Sequence, residues 1–243
     1  MLKTDKDDIE KDSDDVTESA SIGDMTEVML LSQDELAAKK IIYPGMQQRS
    51  VLNAFRDLRT RLLQKSKSKN FVLLVSALGA KGGSSFVAMN MAASFALDEQ
   101  KTAVYIDCNY EHSFSNQLLG GTQDFGLMDY LENPDIQPQD IIYASGISRV
   151  RVIPPGKDSE LSVERLSANR MNELITDLRQ RYEDRFIVID VPPVADSSIA
   201  RMLSHVVDMA VLVVPFGRVT SNQVMAGVDA VGEEKFAGIV FNN

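Results

Sequence analysis

Glycines and serines cluster behind a short apolar run in the segment Val72–Ser85, which reads VLLVSALGAKGGSS. Glycines let a backbone wind closely round an anion, and the N–H groups that open a following helix supply positive potential. A serine hydroxyl at such a helix start is suited to ligate a divalent cation. The pattern therefore predicts a strand that runs into a phosphate-binding loop. A tight strand-to-helix turn with no ligand is the alternative.

The register of this loop follows from the helix expected after it. With the cation-binding hydroxyl at Ser85, Ser84 takes the position at which phosphate loops carry a lysine. The glycines that shape the backbone are then Gly79, Gly82 and Gly83. The match fails at its most specific position, because a serine adds no positive charge at the phosphates. Lys81 is a candidate substitute, with a solvated loop lysine as the alternative.

Two aspartates, Asp107 and Asp190, each end an apolar run. A buried carboxylate is costly unless it meets a cation or a donor, and ligands of parallel sheets bind at the carboxyl ends of the strands. Together with the loop, they predict a site for ATP or ADP with Mg²⁺. The metal-binding candidates are Ser85, Asp107 and Asp190, and the two aspartates are the catalytic candidates. The alternative is that each aspartate caps the turn that follows it.

Strand and helix patterns alternate along the chain and must position these residues. Apolar runs typical of buried strands cover residues 71–75, 102–106, 150–153, 186–189, 210–214 and 238–241. Helical patterns cover residues 51–63, 86–97, 125–131, 170–182 and 220–231. Such alternation predicts an α/β fold with a mainly parallel, doubly wound, P-loop NTPase-like sheet.

Charge is distributed unevenly. Residues 1–35 hold 12 acids and three lysines, a net charge of −9, whereas residues 36–243 carry −1. We expect residues 1–35 to form a disordered acidic tail, residues 36–70 a linker with a helix, and residues 71–243 the folded domain. The nearly neutral body argues against a nucleic-acid surface. No apolar run approaches the about 18 residues that a membrane span needs, and the single Cys108 suits a cytoplasmic protein.

Four segments that follow the loop in the sequence are similar to those of a known protein family. In order, they are VYIDCNYE, FIVIDVPPVADSS, VLVVPFGRVT and GIVFNN. With the loop, they resemble the cytoplasmic P-loop domain of the bacterial tyrosine autokinases of capsule and exopolysaccharide assembly, over about residues 48–243. The resemblance implies that Ser85 binds Mg²⁺ and that Asp107 and Asp190 are the acids of the second and third motifs. It also implies that Asn242 reads adenine.

Several positions depart from the family pattern. Ser84 replaces the phosphate-loop lysine, and Gly79 stands where the wider superfamily has its second lysine. Asn109 and Glu111 replace the second acid and the arginine of the second motif. The tyrosine-rich carboxyl-terminal segment has no counterpart in this sequence, whose last tyrosine is Tyr182. The sequence is thus interpreted as a degenerate member.

The helix LNAFRDLRTRLL resembles the family helix with a Glu-x-x-Arg-x-x-Arg pattern for subunit contacts. Here Asn53 replaces the glutamate, while Arg56 and Arg59 remain as candidates for a homo-oligomer contact. The resemblance further implies an inner-membrane chain-length or co-polymerase protein as partner. The chain would reach the inner membrane peripherally through that partner, without a span of its own.

The expected function is therefore regulation of exopolysaccharide or capsule assembly by a P-loop protein with an impaired nucleotide site. One alternative is an active ATP-dependent tyrosine autokinase in which Lys81 replaces the missing lysine. A second is a structural interaction module without a ligand. A switch ATPase on membrane or DNA ranks lower, because no terminal amphipathic helix and no basic excess is present.

Overall fold

A computed structural model describes residues 29–121, 123–157, 169–181 and 184–242. Seven strands in these ranges form one sheet. The strands are β1 (Val72–Ala77), β2 (Thr102–Asp107), β3 (Tyr143–Ala144), β4 (Val150–Ile153), β5 (Arg185–Asp190), β6 (Met209–Pro215) and β7 (Phe236–Asn242).

The described helices connect or flank these strands. They are α1 (Gln33–Ala38), α2 (Arg49–Lys65), α3 (Ser84–Phe95), α4 (Phe114–Leu119), α5 (Leu127–Glu132), α6 (Asn169–Arg181), α7 (Ile199–Leu203) and α8 (Ser221–Val231), with a 3₁₀ turn at Pro138–Ile141. No helix within the described ranges has the length and apolar character that crossing a membrane requires.

The strand order is β3-β4-β2-β5-β1-β6-β7. Only the short edge strand β3 pairs in antiparallel fashion, with β4, while the other neighbours run parallel. The predicted mainly parallel α/β sheet is therefore confirmed. Strands β2, β5 and β1 are direct neighbours, so their carboxyl ends open onto one shared edge.

Helix α3 is the central support of the loop that precedes it. Ten of its residues are buried, because its sequence SSFVAMNMAASF is apolar on almost every side. Its carboxyl end packs Phe95 against Phe186 of β5, with ring centroids 4.2 Å apart. Burying one such aromatic side chain contributes about 1.5–3 kcal/mol. The carboxyl end of α3 is thus anchored on β5 of the sheet.

The predicted tail boundary at residue 35 is wrong. Residues 1–28 lie outside the described part, but Ser32 and Glu35 form a capping box at the start of α1. Leu36 is buried, and the Leu31 N–H donates to the Gly146 carbonyl at 2.8 Å. The high acid content of residues 1–35 masked a short helix that buries one leucine.

The predicted elements are present within two residues of their expected ends, whereas four short elements were not predicted. Helices α1, α4 and α7 and strand β3 have no more than six residues each. Such short elements offer too few positions for a periodic pattern to stand out. Two of them border the candidate site, since α4 follows β2 and α7 follows β5.

Candidate phosphate-binding site

The loop between β1 and α3 turns sharply through a left-handed backbone. Gly83 has φ of +82° and caps α3, and Lys81 has φ of +55°. The Gly82 N–H donates to the Gly79 carbonyl at 3.2 Å. A Cβ at Gly82 would lie 2.6 Å from the Cβ of Ala77, so only glycine fits there. The sequence VLLVSALGAKGGSS therefore forms the strand, tight turn and helix that its pattern predicts.

Asn242 holds this loop from the end of β7, which is separated from β1 by β6. Its Nδ2 donates to the Gly82 carbonyl at 3.1 Å, and it lies against Gly83 so closely that a side chain at that glycine would collide with it. It also lines a cleft of about 420 Å³ beside Lys81 and Arg218. The adenine-reading role of Asn242 stays a prediction, and the contact made in this structure is with the loop backbone.

A larger cleft of about 660 Å³ opens above the loop. Its walls are the loop, the turn at residues 109–112 behind β2 and the segment at residues 192–198 behind β5. The lysine, carboxylate and imidazole side chains that line it are Lys81, Glu111, Asp196 and His112. Two carboxylates thus face one lysine and one imidazole, so the cleft lacks the cationic excess that a triphosphate favours.

Ser84 and Ser85 begin α3 at the floor of this cleft. Ser84 is only 6% exposed, and Ser85 is half-buried. The first turn of a helix has free N–H groups and a partial positive charge, which together favour an anion. The positive potential at the start of α3 therefore comes from its backbone, since the side chain at position 84 is a neutral hydroxyl, and Lys81 is the cationic side chain of the loop.

Asp190 lies directly beneath these serines and is fully buried. Its Oδ2 accepts a hydrogen bond from the Tyr105 hydroxyl at 2.8 Å, and its Oδ1 has no hydrogen-bond partner among the described residues. Burial, and then the charge of Asp107, raise the pKa of Asp190 to about 8. The nearby hydroxyls of Ser85, Tyr105 and Ser84 offset part of that rise in pKa.

Asp107 is Asp190's partner in the register of β2 and β5, but its carboxylate is fully satisfied. Its Oδ2 accepts from both the N–H and the hydroxyl of Ser115 and from the Ser113 hydroxyl, at 2.7–2.9 Å. Its Oδ1 accepts from the Asn109 N–H at 2.9 Å, which is the turn-capping contact of the alternative interpretation. Burial raises the pKa of Asp107, and these hydrogen bonds offset part of that rise.

The structure thus brings Ser84, Ser85, Asp107 and Asp190 together, but on two levels. The serines line the cleft, whereas both aspartates are completely buried below it. No group of three or more His, Cys, Asp or Glu side chains suited to a metal occurs in the described ranges. A cation at this site would have to combine an aspartate with hydroxyl oxygens, water or phosphate.

Sequence reasoning missed the residues that hold the two aspartates in place. Tyr105 precedes Asp107 by two residues on β2, so strand periodicity alone puts both side chains on one face. A tyrosine within an apolar strand needs a partner for its hydroxyl, and that need was a usable signal. Ser113 and Ser115 gave no such signal, because the turn that returns them to Asp107 exists only in the folded chain.

Arg56 and Arg59, the candidates for a subunit contact, differ in their surroundings. Arg59 donates from Nη1 to the Ser94 carbonyl at 2.6 Å, and burial lowers its pKa. Arg56 on the same helix is exposed. Arg59 therefore fastens α2 to α3 within the chain, which leaves Arg56 as the more accessible candidate for an intermolecular contact.

No family model matches the chain. Among curated proteins, it is 28% identical to the tyrosine-protein kinase Etk of Escherichia coli K12 over 176 residues, 72% of this chain and 24% of Etk. It is also 28% identical to the tyrosine-protein kinase CpsD of Streptococcus agalactiae serotype III over 192 residues, 77% of this chain and 80% of CpsD. The chain therefore spans about a quarter of Etk and most of CpsD.

Among solved structures, the kinase domain of Escherichia coli Etk superposes with a TM-score of 0.73 at 22% identity, covering 88% of each chain. The septum site-determining protein MinD of Pyrococcus horikoshii, complexed with Mg-ADP, gives 0.55 at 20% identity, with 70% of this chain and 68% of that one covered. These likenesses establish a P-loop NTPase-like fold. The homologues of this chain are bacterial tyrosine-protein kinases.

Proposed function

We propose that this chain is a P-loop protein of bacterial exopolysaccharide or capsule biosynthesis that regulates polymer assembly with an impaired nucleotide site. The observation that carries the proposal is Ser84. It is buried at the start of α3, in the place of the phosphate-loop lysine, and no cationic excess in the cleft replaces the missing charge. The kinase homologues and the fold support the placement among such proteins.

The residues present fit Mg²⁺ and a nucleotide phosphate in part. Oδ1 of Asp190 is buried and accepts no hydrogen bond from the described residues, and the Ser85 hydroxyl lies near this carboxylate, so both are oxygen ligands of the kind that Mg²⁺ prefers. The N–H groups of the loop and of the first turn of α3 would hold the phosphate. When bound, Mg²⁺ supplies neutralisation of phosphate charge. Asp190 must give up its proton to serve, and its raised pKa opposes that at neutral pH.

The missing lysine sets the scale of the impairment. A unit charge 4 Å from a phosphate is worth about 4 kcal/mol at the effective dielectric typical near a protein surface. Desolvation of the ammonium and loop ordering reduce that figure, so we expect about 1.5–3 kcal/mol of lost affinity, or roughly 10- to 150-fold in Kd. Phosphoryl transfer suffers as well, because it depends on neutralising the charge that develops in the transition state.

One observation favours the second candidate, an active tyrosine autokinase. Lys81 is exposed in the loop and lines both the 660 Å³ and the 420 Å³ clefts. Its ammonium is the loop's own cation and would have to reach the terminal phosphate. Lys81→Ala is expected to abolish tyrosine phosphorylation if this candidate holds, with Lys157→Ala as the control. An unchanged rate of tyrosine phosphorylation in Lys81→Ala would show that Lys81 does not take the place of the missing phosphate-loop lysine.

The experiment for the proposal is a calorimetric titration of the chain with ATP and ADP, with Mg²⁺ and with EDTA, followed by an assay of tyrosine phosphorylation. We expect weak or undetectable binding and no autophosphorylation. Micromolar, Mg²⁺-dependent binding together with rapid autophosphorylation would contradict the impaired site.

In this proposal, the chain acts in the cytoplasm with an inner-membrane co-polymerase as partner and forms any homo-oligomer through Arg56.

A further inference from the structure

A second charged cleft lies at the edge of the sheet opposite the phosphate loop. It has a volume of about 620 Å³ and is lined where β1, β2 and β5 begin. Its charged lining residues are Lys69, Lys101, Arg179 and Arg185, and no carboxylate belongs to its lining among the residues that the structure describes. We call this surface the cationic cleft. The proposed nucleotide site makes no use of it.

The folding of the chain concentrates these charges. Lys67 and Ser68 have φ of +54° and +63°, so the basic segment QKSKSKN behind α2 turns over the edge of the sheet and leaves Lys69 exposed. Lys101 donates to the Asn70 side chain at 3.3 Å, with its ammonium 6.0 Å from the centre of the Phe186 ring. Both lysines therefore face the cleft with most of their charge unneutralised.

The arginines add to the field from two sides. Arg179, on α6, forms an ion pair with Asp208, which also accepts from the Val72 N–H at 2.7 Å. Arg185 is only 5% exposed at the start of β5 and lines the cleft from its buried side. With Asp208 set against Arg179, Lys69 and Lys101 give the described lining a positive balance in a body whose net charge is −1.

The chain carries a matching anion in its own amino-terminal segment. Residues 1–28 contain ten acids and three lysines, a net charge of −7. We propose that this segment docks in cis on the cationic cleft, through carboxylates that pair with Lys69 and Lys101. Two features of the molecule that the proposed function does not use, the acidic segment and the cationic cleft, are thereby each other's partners.

The described part of the chain begins close to the cationic cleft. Leu31 is bonded to Gly146 in the loop before β4, at the same edge of the sheet as the cleft. Only β2 separates β4 from β5, which corresponds to about 10 Å between those strand starts. An extended segment of 28 residues spans up to about 90 Å. Reach is therefore no obstacle, and tethering gives the segment a high local concentration at the cleft.

The test is zero-length carbodiimide cross-linking of the full chain at low salt, with the linked peptides identified by mass spectrometry. We expect cross-links from the carboxylates of residues 1–28 to Lys69 and Lys101, within one copy of the chain, at least fivefold above those to Lys39 and Lys81. Lys39 controls for nearness along the chain, and Lys81 for the opposite edge of the sheet. Salt at 0.5 M should remove most of the excess, because it screens exposed pairs.

A competition experiment gives an independent result, with heparin as the soluble polyanion. A full-length variant in which the ten acids of residues 1–28 become amides should bind heparin at least tenfold more tightly than the natural chain. Adding Lys69→Gln and Lys101→Gln should cancel that gain, whereas adding Lys39→Gln and Lys40→Gln should not. Thermal unfolding checks that each variant is folded.

Three outcomes would overturn the proposal. Cross-links spread evenly over Lys39, Lys81 and the cleft lysines would show no preference for the cleft. Cross-links that join isotopically distinct copies would show docking between molecules. A heparin gain that survives the two cleft substitutions would show that the segment acts through overall charge alone.

Discussion

Restoring a lysine at position 84 tests the central claim about the phosphate site. Ser84 lies at the floor of the 660 Å³ cleft, so a longer side chain has room to extend upward. Beneath it, Asp190 has a raised pKa, and its Oδ1 has no hydrogen-bond donor within the described part of the chain. An ammonium at this place would face a phosphate above and a carboxylate below. Ser84→Lys therefore adds a positive charge at the floor of the cleft, between the expected phosphate position and the carboxylate of Asp190.

The expected gain follows from the Coulomb energy less its costs. A charge pair 4 Å apart gives about 4 kcal/mol at the effective dielectric near a protein surface. Desolvation of the lysine and the fixing of its side chain offset about half, since a buried lysine loses up to about 2 kcal/mol of rotamer entropy. We expect Ser84→Lys to bind MgATP about 1.4–2.7 kcal/mol more tightly, which is 10- to 100-fold in Kd.

The assay is a titration with MgATP by calorimetry, run in parallel on the natural chain, Ser84→Lys and Ser84→Met. Methionine matches most of the length of lysine without its charge, so it separates electrostatics from packing. Urea unfolding of each variant shows whether the substitution is tolerated in the fold. The gain in Ser84→Lys should shrink in high salt and vanish without Mg²⁺.

Two results would refute the reasoning. A natural chain that already binds MgATP at micromolar Kd, with no gain in Ser84→Lys, would show that the site does without this charge. An equal gain in Ser84→Met and Ser84→Lys would show that packing, and not charge, limits binding.

Three further perturbations have defined outcomes. Tyr105→Phe removes the hydrogen-bond donor to buried Asp190 and should lower the free energy of unfolding, measured in urea, by about 1–3 kcal/mol. The control Tyr143→Phe removes an exposed hydroxyl and should lower it by less. Equal losses in the two variants would count against a stabilising role of the buried contact. Asn242→Ala frees the Gly82 carbonyl, so the amides of the loop should exchange with deuterium at least threefold faster, and unchanged exchange would contradict the clamp. Asp190 has a pKa raised to about 8, so the folded chain holds a proton that the unfolded chain releases near pH 4. The protonated Asp190 stabilises the folded chain below pH 4, and this stabilisation is lost as the pH rises to about 8. Asp190→Asn should make the loss of stability between these pH values smaller. An unaltered pH profile of stability would assign the titration to another group.

Much of the fold was readable from local patterns. The runs VLLVSA, TAVYID and RFIVID are continuous and apolar because strands of a parallel sheet are buried on both faces. Each of these strands lies where its run predicts, and helix α3 begins at the serine pair that follows the glycines. The acidic segment before Ser32 was also recognisable from its charge. Helix α1, which buries a single leucine and begins within the range predicted as an acidic tail, was not.

The sequence by itself determined the chemistry available at the loop. It placed a neutral serine at the position where the expected phosphate loop would carry a lysine, and it ended two apolar runs in carboxylates. The tertiary structure decided how that chemistry is arranged. It supplied Asp107 with hydrogen bonds from Ser113 and Ser115 and turned Asn242 onto the loop backbone. It left one oxygen of Asp190 with no hydrogen-bond partner among the described residues. It also gathered Lys69 and Lys101 into one cleft. These are contacts between distant segments, and burial and hydrogen bonding select them only once the whole chain is packed.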